Sequence, residues 1–325
     1  MRSLWLLSVV RALDLVAVKF PVLVTRALPS SVMLRLEVAC NVDCLDGPGA
    51  TAHDEVVARI PGKHALLSMV TDVVDRSVIE AGTSLRIIAN VAVGYNNVDV
   101  VAARERGIVV TNTPDVLTDA TADFTLALIL AVTRRLGEGE RLIRSAGWPG
   151  WAFDQLLGMQ LRGRQLGIVG FGRIGQAVAT RALAFGMTVT HASRSGDGMP
   201  LDRLLATSDI VSLHVPFTSD THHLIGQAEL ARMNRSAYLV NTTRGPVVDE
   251  SALAWALRSR LIAGAALDVY EREPEVHPEL LTLENVVLAP HLGSATTDTR
   301  TAMADLAASN VIAVLGGEPP LTQIP

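Results

Sequence analysis

The segment that most constrains the fold of this chain lies at residues 166–186. An aliphatic run at residues 166–169 leads into the sequence Gly-Phe-Gly-Arg-Ile-Gly, which begins at Gly170. Apolar residues then recur at helical spacing, and Gly186 follows at the place where a helix would be capped. This order predicts a buried strand, a tight loop and a helix that packs back on the strand, as in parallel α/β sheets.

Each glycine of this loop has its own physical reason in a dinucleotide site. Gly170 permits a tight turn, Gly172 lets the backbone approach a pyrophosphate, and Gly175 allows close packing of helix on strand. The N–H groups at the start of the helix are offered to the anion. A glycine-rich turn that binds nothing is the alternative, but the flanking strand and helix favour a nucleotide site. The loop residues predicted to contact the cofactor are Gly170, Gly172, Arg173, Ile174 and Gly175.

Strand-like and helix-like segments alternate along the chain, which predicts parallel sheets covered on both faces. Strands are predicted at residues 22–24, 65–69, 86–91, 108–111, 166–169, 188–192, 210–215, 238–241, 265–269 and 286–289. Helices are predicted at residues 29–39, 75–81, 120–136 and 174–185. The helix at residues 120–136 separates two series of strands, so we expect an α/β protein with two units joined by this helix.

Composition narrows the class of protein. The chain has 325 residues, of which 49% are hydrophobic, and a formal net charge of −5 at pH 7. This length suits about two domains, and the acidic balance argues against nucleic acid as the main partner. Cys40 and Cys44 lie too close for a useful disulfide and lack the neighbours of a metal site. They indicate a reducing, cytoplasmic setting.

Residues 4–18 are apolar, but Arg11 and Asp14 interrupt them. A membrane-spanning helix needs ~20 predominantly apolar residues, and no convincing signal-peptide cleavage site follows. A second apolar stretch, residues 124–132, is too short to span a bilayer. We therefore expect no membrane segment. We expect residues 1–18 to form a dispensable or misassigned, disordered extension before a fold that starts near Lys19.

The end of the strand after the glycine loop discriminates between nicotinamide cofactors, because an acid there would bind the ribose 2′-OH of NAD. The sequence has Ser193, Arg194 and Ser195 at this place, and its first acid is Asp197. A guanidinium flanked by two hydroxyls suits the 2′-phosphate of NADP. We therefore predict a preference for NADPH over NADH; a solvated loop arginine without a ligand is the alternative.

Three charged or ionisable residues follow late strands: Arg244, Glu273 and His291. Because open parallel sheets bind ligands at the carboxyl ends of their strands, we expect these side chains to lie close together. Reduction of a keto acid needs a cation for the carboxylate, a proton donor and an anion that keeps the donor charged. Arg244, His291 and Glu273 would fill these roles in that order. Surface charge and a structural histidine are the ordinary interpretations, and the residues alone leave the choice open.

Several motifs in the same order resemble those of the D-isomer-specific 2-hydroxyacid dehydrogenases, and among them the glyoxylate/hydroxypyruvate reductases. The similarity runs from about Pro21 to the C-terminus. The motifs lie at residues 90–99, 111–114, 117–118, 170–175, 214–216, 241–249, 268–274 and 290–294. The resemblance implies that Arg244, Glu273 and His291 are catalytic. It also implies reduction of glyoxylate or hydroxypyruvate, with NADPH preferred and NADH as the second cofactor.

The resemblance implies further ligand contacts. The backbone N–H groups of Val93 and Gly94 would bind the substrate carboxylate together with Arg244, and Asp268 would lie near the nicotinamide carboxamide. Cofactor contacts are implied for Thr118, Ser193, Arg194, Ser195, Pro216, Thr242, Thr243, Asp268, His291 and Gly293.

The resemblance also implies two Rossmann-like or flavodoxin-like doubly wound domains with the active site in the cleft between them. Residues 19–113 and 294–325 would form the substrate domain, and residues 114–293 the NADP-binding domain. The helix at residues 120–136 would also lie in the interface of a homodimer. Asn96 replaces an aspartate and Arg164 a lysine that are common in the family, and we expect neither to touch the proposed chemistry.

Other functions stay open beside this one. A 2-ketogluconate reductase or a phosphite dehydrogenase would use much the same residues, whereas a phosphoglycerate dehydrogenase is less favoured because no basic cluster for a phosphate is obvious. The intact trio disfavours a dinucleotide-sensing corepressor-like protein without activity. A zinc-dependent dehydrogenase is disfavoured because neither cysteine lies near a histidine and His222 and His223 lack ligand spacing.

Overall fold

The computed structural model describes residues 19–47, 49 and 51–325. The predicted N-terminal extension, residues 1–18, lies outside these described residues. Within them, no helix is both long enough and apolar enough to span a membrane. Cys40 and Cys44 are free thiols.

The chain forms two compact units. The first contains the described residues up to Ala89, with Asp99–Thr111 and Ala307–Pro325, and the second contains Asn90–Val98 and Asn112–Leu306. These units differ from the predicted domains chiefly because residues 90–98 and 294–306 belong to the second unit. The assignment of a substrate domain and a cofactor domain stays a prediction.

The first unit is built on a parallel sheet. Its strands are β1 (Phe20–Val24), β2 (Cys40–Cys44), β3 (Ala65–Met69), β4 (Ile87–Val91) and β5 (Val109–Thr111). The last two residues of β4 belong to the second unit. Its helices are α1 (Ser30–Ala39), α2 (His53–Arg59), α3 (Arg76–Ala81) and α4 (Val100–Glu105). The five strands lie in the order β2-β1-β3-β4-β5. In this doubly wound order the direction of winding reverses between β1 and β3.

Strand β2 is missing from the strands predicted by the sequence. It runs Cys-Asn-Val-Asp-Cys at the edge of the sheet, and Asn and Asp have low strand propensity. Its pairing comes from β1, in a parallel register that runs from Phe20 opposite Cys40 to Val24 opposite Cys44. Long-range pairing therefore decides this strand, and local propensity does not.

The second unit contains the longer series of elements. Its strands are β6 (Gln165–Val169), β7 (Thr188–Ala192), β8 (Ile210–Leu213), β9 (Tyr238–Asn241), β10 (Gly264–Leu267) and β11 (Val286–Leu288). The remaining helices are α5 (Thr118–Thr133), α6 (Leu136–Arg144), α7 (Arg173–Ala184), α8 (Leu201–Thr207), α9 (Gln227–Arg232), α10 (Glu250–Arg258) and α11 (Thr297–Leu315), the last of which continues into the first unit. The sheet has the parallel order β11-β10-β9-β8-β6-β7, with its reversal between β6 and β8.

The predicted fold class, two doubly wound parallel sheets, is confirmed. The long helix predicted at residues 120–136 is wrong at its end, because α5 ends at Thr133. Arg135 has a φ of 53°, in the left-handed region that interrupts an α-helix, and α6 begins at the next residue. Strands β8 and β10 also end two residues before their predicted ends, at Leu213 and Leu267. The residues that follow each strand belong to the candidate site described next.

Candidate active site

The glycine loop joins β6 to α7 at the carboxyl edge of the six-stranded sheet. Gly170 has a φ of 94°, and a Cβ there would lie 2.7 Å from the carbonyl carbon of His214. A Cβ at Gly175 would overlap the carbonyl oxygen of Gly170, whereas a Cβ at Gly172 would meet nothing within 4 Å. Close packing therefore requires Gly170 and Gly175, and the open space at Gly172 fits the approach of a dinucleotide pyrophosphate.

Other residues predicted to contact the cofactor lie at element ends near this loop. The exposed Arg173 pairs with Asp115, its Nε 2.6 Å from the carboxylate. Thr242 places its Oγ1 3.1 Å from the Oγ1 of Thr125 in α5, so a hydrogen bond ties the end of β9 to that helix. Thr118 begins α5, Arg173 and Ile174 begin α7, Pro216 follows β8, and Thr242 and Thr243 follow β9.

The loop after β7 carries the residues predicted to select the cofactor. Ser193 donates to Oδ1 of Asp197 at 2.9 Å, and its Oγ lies 2.7 Å from the Oγ of Ser195, which also donates to Asp197. The hydrogen bonds from Ser195 and Ser193 lower the pKa of Asp197. Arg194 is exposed. The hydroxyls predicted to flank a 2′-phosphate are thus engaged by an ionised carboxylate.

Arg244 follows β9 and contacts the loop after β4. Its Nε donates to Oδ1 of Asn96 at 3.1 Å, and its Nη1 donates to the carbonyl of Thr243 at 2.8 Å. A Cβ at Gly94 would overlap its Nη2, so a side chain there would make the guanidinium shift. Burial lowers the pKa of Arg244, and the charge of Glu273 opposes that shift. The expectation that Asn96 stays away from the proposed chemistry is therefore wrong.

Asparagine side chains hold the loop that contains Val93 and Gly94. Nδ2 of Asn112 donates to the carbonyl of Val93 at 2.8 Å, and Nδ2 of Asn90 donates to the carbonyl of Gly94 at 3.1 Å. These bonds fix both peptide groups through their carbonyls. The segment predicted to bind the substrate carboxylate is thus held in one backbone conformation beside Arg244.

His291 and Glu273 are hydrogen-bonded, with Nδ1 of the imidazole 2.8 Å from Oε2 of the carboxylate. The other carboxylate oxygen accepts the N–H of Tyr270 at 3.1 Å. Burial by itself raises the pKa of Glu273, but the hydrogen bond and charge of His291, with the charge of Arg244, hold it below its ordinary value. Glu273 is therefore anionic at neutral pH and accepts the Nδ1–H of the imidazole.

The backbone at His291 is strained, with a φ of 56°. Asp268 holds this turn: its carboxylate accepts the N–H of Leu292 at 2.6 Å and that of Gly293 at 2.8 Å. Its carbonyl accepts the N–H of His291 at 2.9 Å. Burial raises the pKa of Asp268, and the two backbone hydrogen bonds oppose that rise. Asp268 thus fixes the backbone turn that carries the imidazole. Its predicted nearness to a nicotinamide stays a prediction.

Two supporting residues escaped the sequence interpretation. Asn241 closes the turn before Arg244, because its Nδ2 donates to the Arg244 carbonyl at 2.9 Å and its Oδ1 accepts the N–H of Thr243 at 3.1 Å. A Cβ at Gly245 would overlap the carbonyl group of Tyr270. An Asn at a strand end and a Gly four residues later are the signals that could have revealed them.

Arg164 is the other residue that departs from the family pattern. Its Nη1 lies 3.2 Å from Oδ1 of Asp209, with which it forms an ion pair.

Known proteins resemble this chain in sequence over nearly its whole length. The model of the NAD-binding domain of D-isomer specific 2-hydroxyacid dehydrogenases matches residues 126–293. The glyoxylate reductase of Thermococcus litoralis is 46% identical over 313 residues, which cover 92% of this chain and 95% of that protein.

Solved structures resemble it in fold. A protein from Thermus thermophilus has a TM-score of 0.89 and 46% identity, and the match covers 94% of this chain and 100% of that one. An NADPH-dependent glyoxylate/hydroxypyruvate reductase from Sinorhizobium meliloti, in complex with NADP and malonate, has a TM-score of 0.84 and 35% identity. That match covers 94% of this chain and 97% of the other.

Proposed function

The chain belongs to the D-isomer specific 2-hydroxyacid dehydrogenases, which are NAD(P)-dependent oxidoreductases, and we propose that it reduces glyoxylate and hydroxypyruvate to glycolate and D-glycerate with NADPH. The observation that carries the proposal is the hydrogen bond between His291 and Glu273, in which Nδ1 and Oε2 are 2.8 Å apart. The charge of Arg244 acts on the same carboxylate. A cation, an anion and an imidazole are the groups that reduction of a 2-keto acid requires.

Arg244 would bind the substrate carboxylate. The guanidinium has five N–H donors in a planar fork that suits a carboxylate, and burial makes an added anion favourable beside it. The backbone N–H groups of Val93 and Gly94 would donate to the same carboxylate. Gly94 has a second role, since its missing Cβ makes room for Nη2.

His291 would donate the proton. Glu273 accepts its Nδ1–H at 2.8 Å. In the imidazolium form, Nε2 would carry the second proton and would donate it to the carbonyl oxygen of the substrate. When bound, the dinucleotide supplies the hydride that adds to the carbonyl carbon. The proton from Nε2 then completes the hydroxyl group, and Glu273 stabilises the imidazolium until the transfer.

The glycine loop and the start of α7 would hold the pyrophosphate, with Thr118, Pro216, Thr242, Thr243 and Gly293 as further contacts. The proposed preference for NADPH rests on Arg194, the cation of the loop after β7. A 2′-phosphate there would draw Ser193 and Ser195 away from Asp197, to which both now donate. The preference thus requires a local change of hydrogen bonding as well as a cation.

Steady-state kinetics on glyoxylate, hydroxypyruvate and 2-ketogluconate with both cofactors test the proposal. We expect the highest kcat/KM for glyoxylate or hydroxypyruvate with NADPH. A purified protein inert toward all three substrates with either cofactor would overturn the proposed function. An equal or better kcat/KM with NADH would overturn only the preference for NADPH.

We also propose a cytoplasmic homodimer. Large apolar side chains on α6 and the loop after it are exposed: Leu136 65%, Ile143 57%, Trp151 80% and Phe153 84%. Apolar surface of this kind marks interaction sites. The helix predicted for the interface, α5, buries Leu126, Leu128, Ile129 and Val132 within its own unit. The free thiols of Cys40 and Cys44 suit a reducing compartment. Sedimentation as a monomer at micromolar concentration would contradict the dimer.

A further inference from the structure

We propose that Asn96 determines the affinity for anionic substrates, because as a neutral partner it leaves the positive charge of Arg244 available to the substrate carboxylate. The inference rests on the proposed function, in which Arg244 binds that carboxylate. Both residues belong to the second unit, and Nε of Arg244 donates to Oδ1 of Asn96 at 3.1 Å.

The chemistry of the contact fixes the orientation of the amide. A guanidinium has donors and no acceptor, so only the oxygen of Asn96 can face Nε. An aspartate would place an oxygen acceptor at the same point, because the two side chains have the same shape. As acceptors for Nε, asparagine and aspartate therefore differ in charge, and asparagine gives the hydrogen bond without a counter-ion.

The other partners of Arg244 leave its charge largely uncompensated. Nη1 donates to the Thr243 carbonyl at 2.8 Å, which is a neutral group. Nη2 lies against Gly94, which has no side chain. Glu273 is the anion that acts on Arg244, but its carboxylate already pairs with His291 at 2.8 Å.

A substrate carboxylate would therefore be the anion that compensates a partly buried cation. Burial lowers the pKa of Arg244, which means that its charged form is disfavoured without an opposite charge nearby. An aspartate at position 96 would be a built-in opposite charge, and the substrate would have to compete with it. Asn96 is exposed, so solvent and salt would screen that competition in part.

The test compares Asn96→Asp, Asn96→Ala and the exposed Asn234→Asp, which adds the same charge elsewhere in the second unit. At low ionic strength we expect Asn96→Asp to raise KM for glyoxylate at least about fivefold, with kcat within about twofold of wild type. Added salt should shrink the difference. Asn96→Ala removes the hydrogen bond without adding charge and should raise KM only about twofold. Asn234→Asp should leave both constants unchanged.

Several outcomes would overturn the proposal. A larger KM for Asn96→Ala than for Asn96→Asp would mean that hydrogen-bond geometry, and not charge, sets the affinity. A fall in kcat at unchanged KM, or an equal effect of Asn234→Asp, would also refute it. Equal thermal melting curves exclude a folding defect as the cause of any difference.

A second readout separates this proposal from the proposed function. Calorimetry measures the binding of oxalate, an unreactive dianion, to wild type and Asn96→Asp in the presence of NADPH. If the wild type reduces no keto acid, the proposed function fails, but weaker oxalate binding by Asn96→Asp would still support the role of Asn96. Unchanged oxalate binding would overturn that role whether or not the enzyme is active.

Discussion

The first strands of the two sheets both end in valine but continue with different residues. Strand β1 ends at Val24 and continues with Thr25, whereas β6 ends at Val169 and continues with Gly170. Each strand lies between the second and third strands of its own sheet, so each has a point of reversed winding at its carboxyl end. Topology therefore offers two places for a ligand, and the residue after the strand distinguishes them.

In the five-stranded sheet, side chains of the protein occupy the position at the carboxyl end of β1. The buried Thr25 donates its N–H to the carbonyl of Leu67 at 3.0 Å and its hydroxyl to Asp72 at 2.5 Å. The same carboxylate accepts the N–H of Met69 at 2.6 Å, and Thr51 donates to the Thr25 carbonyl at 2.7 Å. Polar groups at the ends of β1 and β3 thus bind one another.

In the six-stranded sheet the corresponding place stays open. Gly170 donates its N–H to Ala192 at 2.9 Å, and without a side chain it packs directly on the backbone of His214. The next glycine, Gly172, faces space that a side chain would occupy. The same strand order thus accompanies a closed hydrogen-bonded corner in one sheet, at Thr25, and a candidate nucleotide site in the other, at the loop of Gly170 and Gly172.

The largest expected effect tests the chemistry proposed at the carboxyl end of the six-stranded sheet. Replacing His291 by alanine removes the proposed proton donor and should lower kcat by about 10²–10⁴-fold. His223 offers a matched control, because it also has a positive φ, 49°, and pairs with a glutamate, Glu271, at 2.8 Å. We expect His223→Ala to keep kcat within about threefold of wild type. Steady-state kinetics at saturating substrate measure kcat for both variants. An unchanged kcat for His291→Ala would refute the assignment of His291 as the proton donor.

The glycine loop allows the packing and the binding roles of its residues to be separated. Gly170→Ala places a Cβ 2.7 Å from the His214 carbonyl carbon at a φ of 94°, so it should lower both stability and dinucleotide affinity. Gly172→Ala meets nothing in the protein and should keep the melting temperature while weakening the dinucleotide at least about tenfold. Fluorescence titration with NADPH and thermal unfolding measure the two effects. Unweakened binding by Gly172→Ala would contradict the loop's proposed role.

Some features of the fold and of the candidate site can be predicted from the sequence alone, and others cannot. The glycine loop and most strands follow from local patterns. Charges at strand ends make Arg244, Glu273 and His291 candidates, but only the family resemblance implies their catalytic roles. The contact of Arg244 with Asn96 joins residues 148 positions apart, and no local pattern reveals it.

Backbone conformation is a second feature that the sequence alone does not predict. The left-handed φ of His291 and the bonds by which Asp268 holds the following two N–H groups depend on how two strand ends meet. Likewise Arg135, a residue with good helix propensity, ends the predicted helix because its backbone adopts a positive φ. Tertiary structure decides these features, and propensity does not.

The closed corner of the first sheet should respond to mutation in stability alone. Thr25→Val keeps the shape of the side chain and removes the hydroxyl that donates to Asp72, which should cost about 1–3 kcal/mol of unfolding free energy. Thr25→Ser keeps the hydroxyl and should cost less than about 1 kcal/mol. Urea unfolding measures both, with kcat/KM expected to stay unchanged. A loss of activity in folded Thr25→Val would contradict the expectation that this corner of the first sheet contributes to stability and not to catalysis.

The smallest expected effect concerns a carboxylate that serves structure in the first unit, in contrast to Glu273. Asp75 caps α3 by accepting the N–H groups of Ser77 at 3.0 Å and Val78 at 3.2 Å. The hydrogen bond from the Ser77 side chain and that from His53 lower the pKa of Asp75 to about 2. The ordinary value in an unfolded chain is about 3.9. Because the folded pKa is the lower one, the stabilisation is complete above the unfolded value and is lost as pH falls toward 2.

Two substitutions separate the charge of Asp75 from its capping role. The side chain is 47% exposed, so screening keeps the charge contribution small, and Asp75→Asn should cost only about 0.5 kcal/mol at pH 7. Asp75→Ala removes the cap as well and should cost about 1 kcal/mol. Urea unfolding at pH 7, 5 and 3 should show that the difference between wild type and Asp75→Asn shrinks at the lowest pH. A difference that stays constant from pH 7 to pH 3 would mean that the carboxylate charge contributes nothing, and that this helix end depends on hydrogen-bond geometry alone.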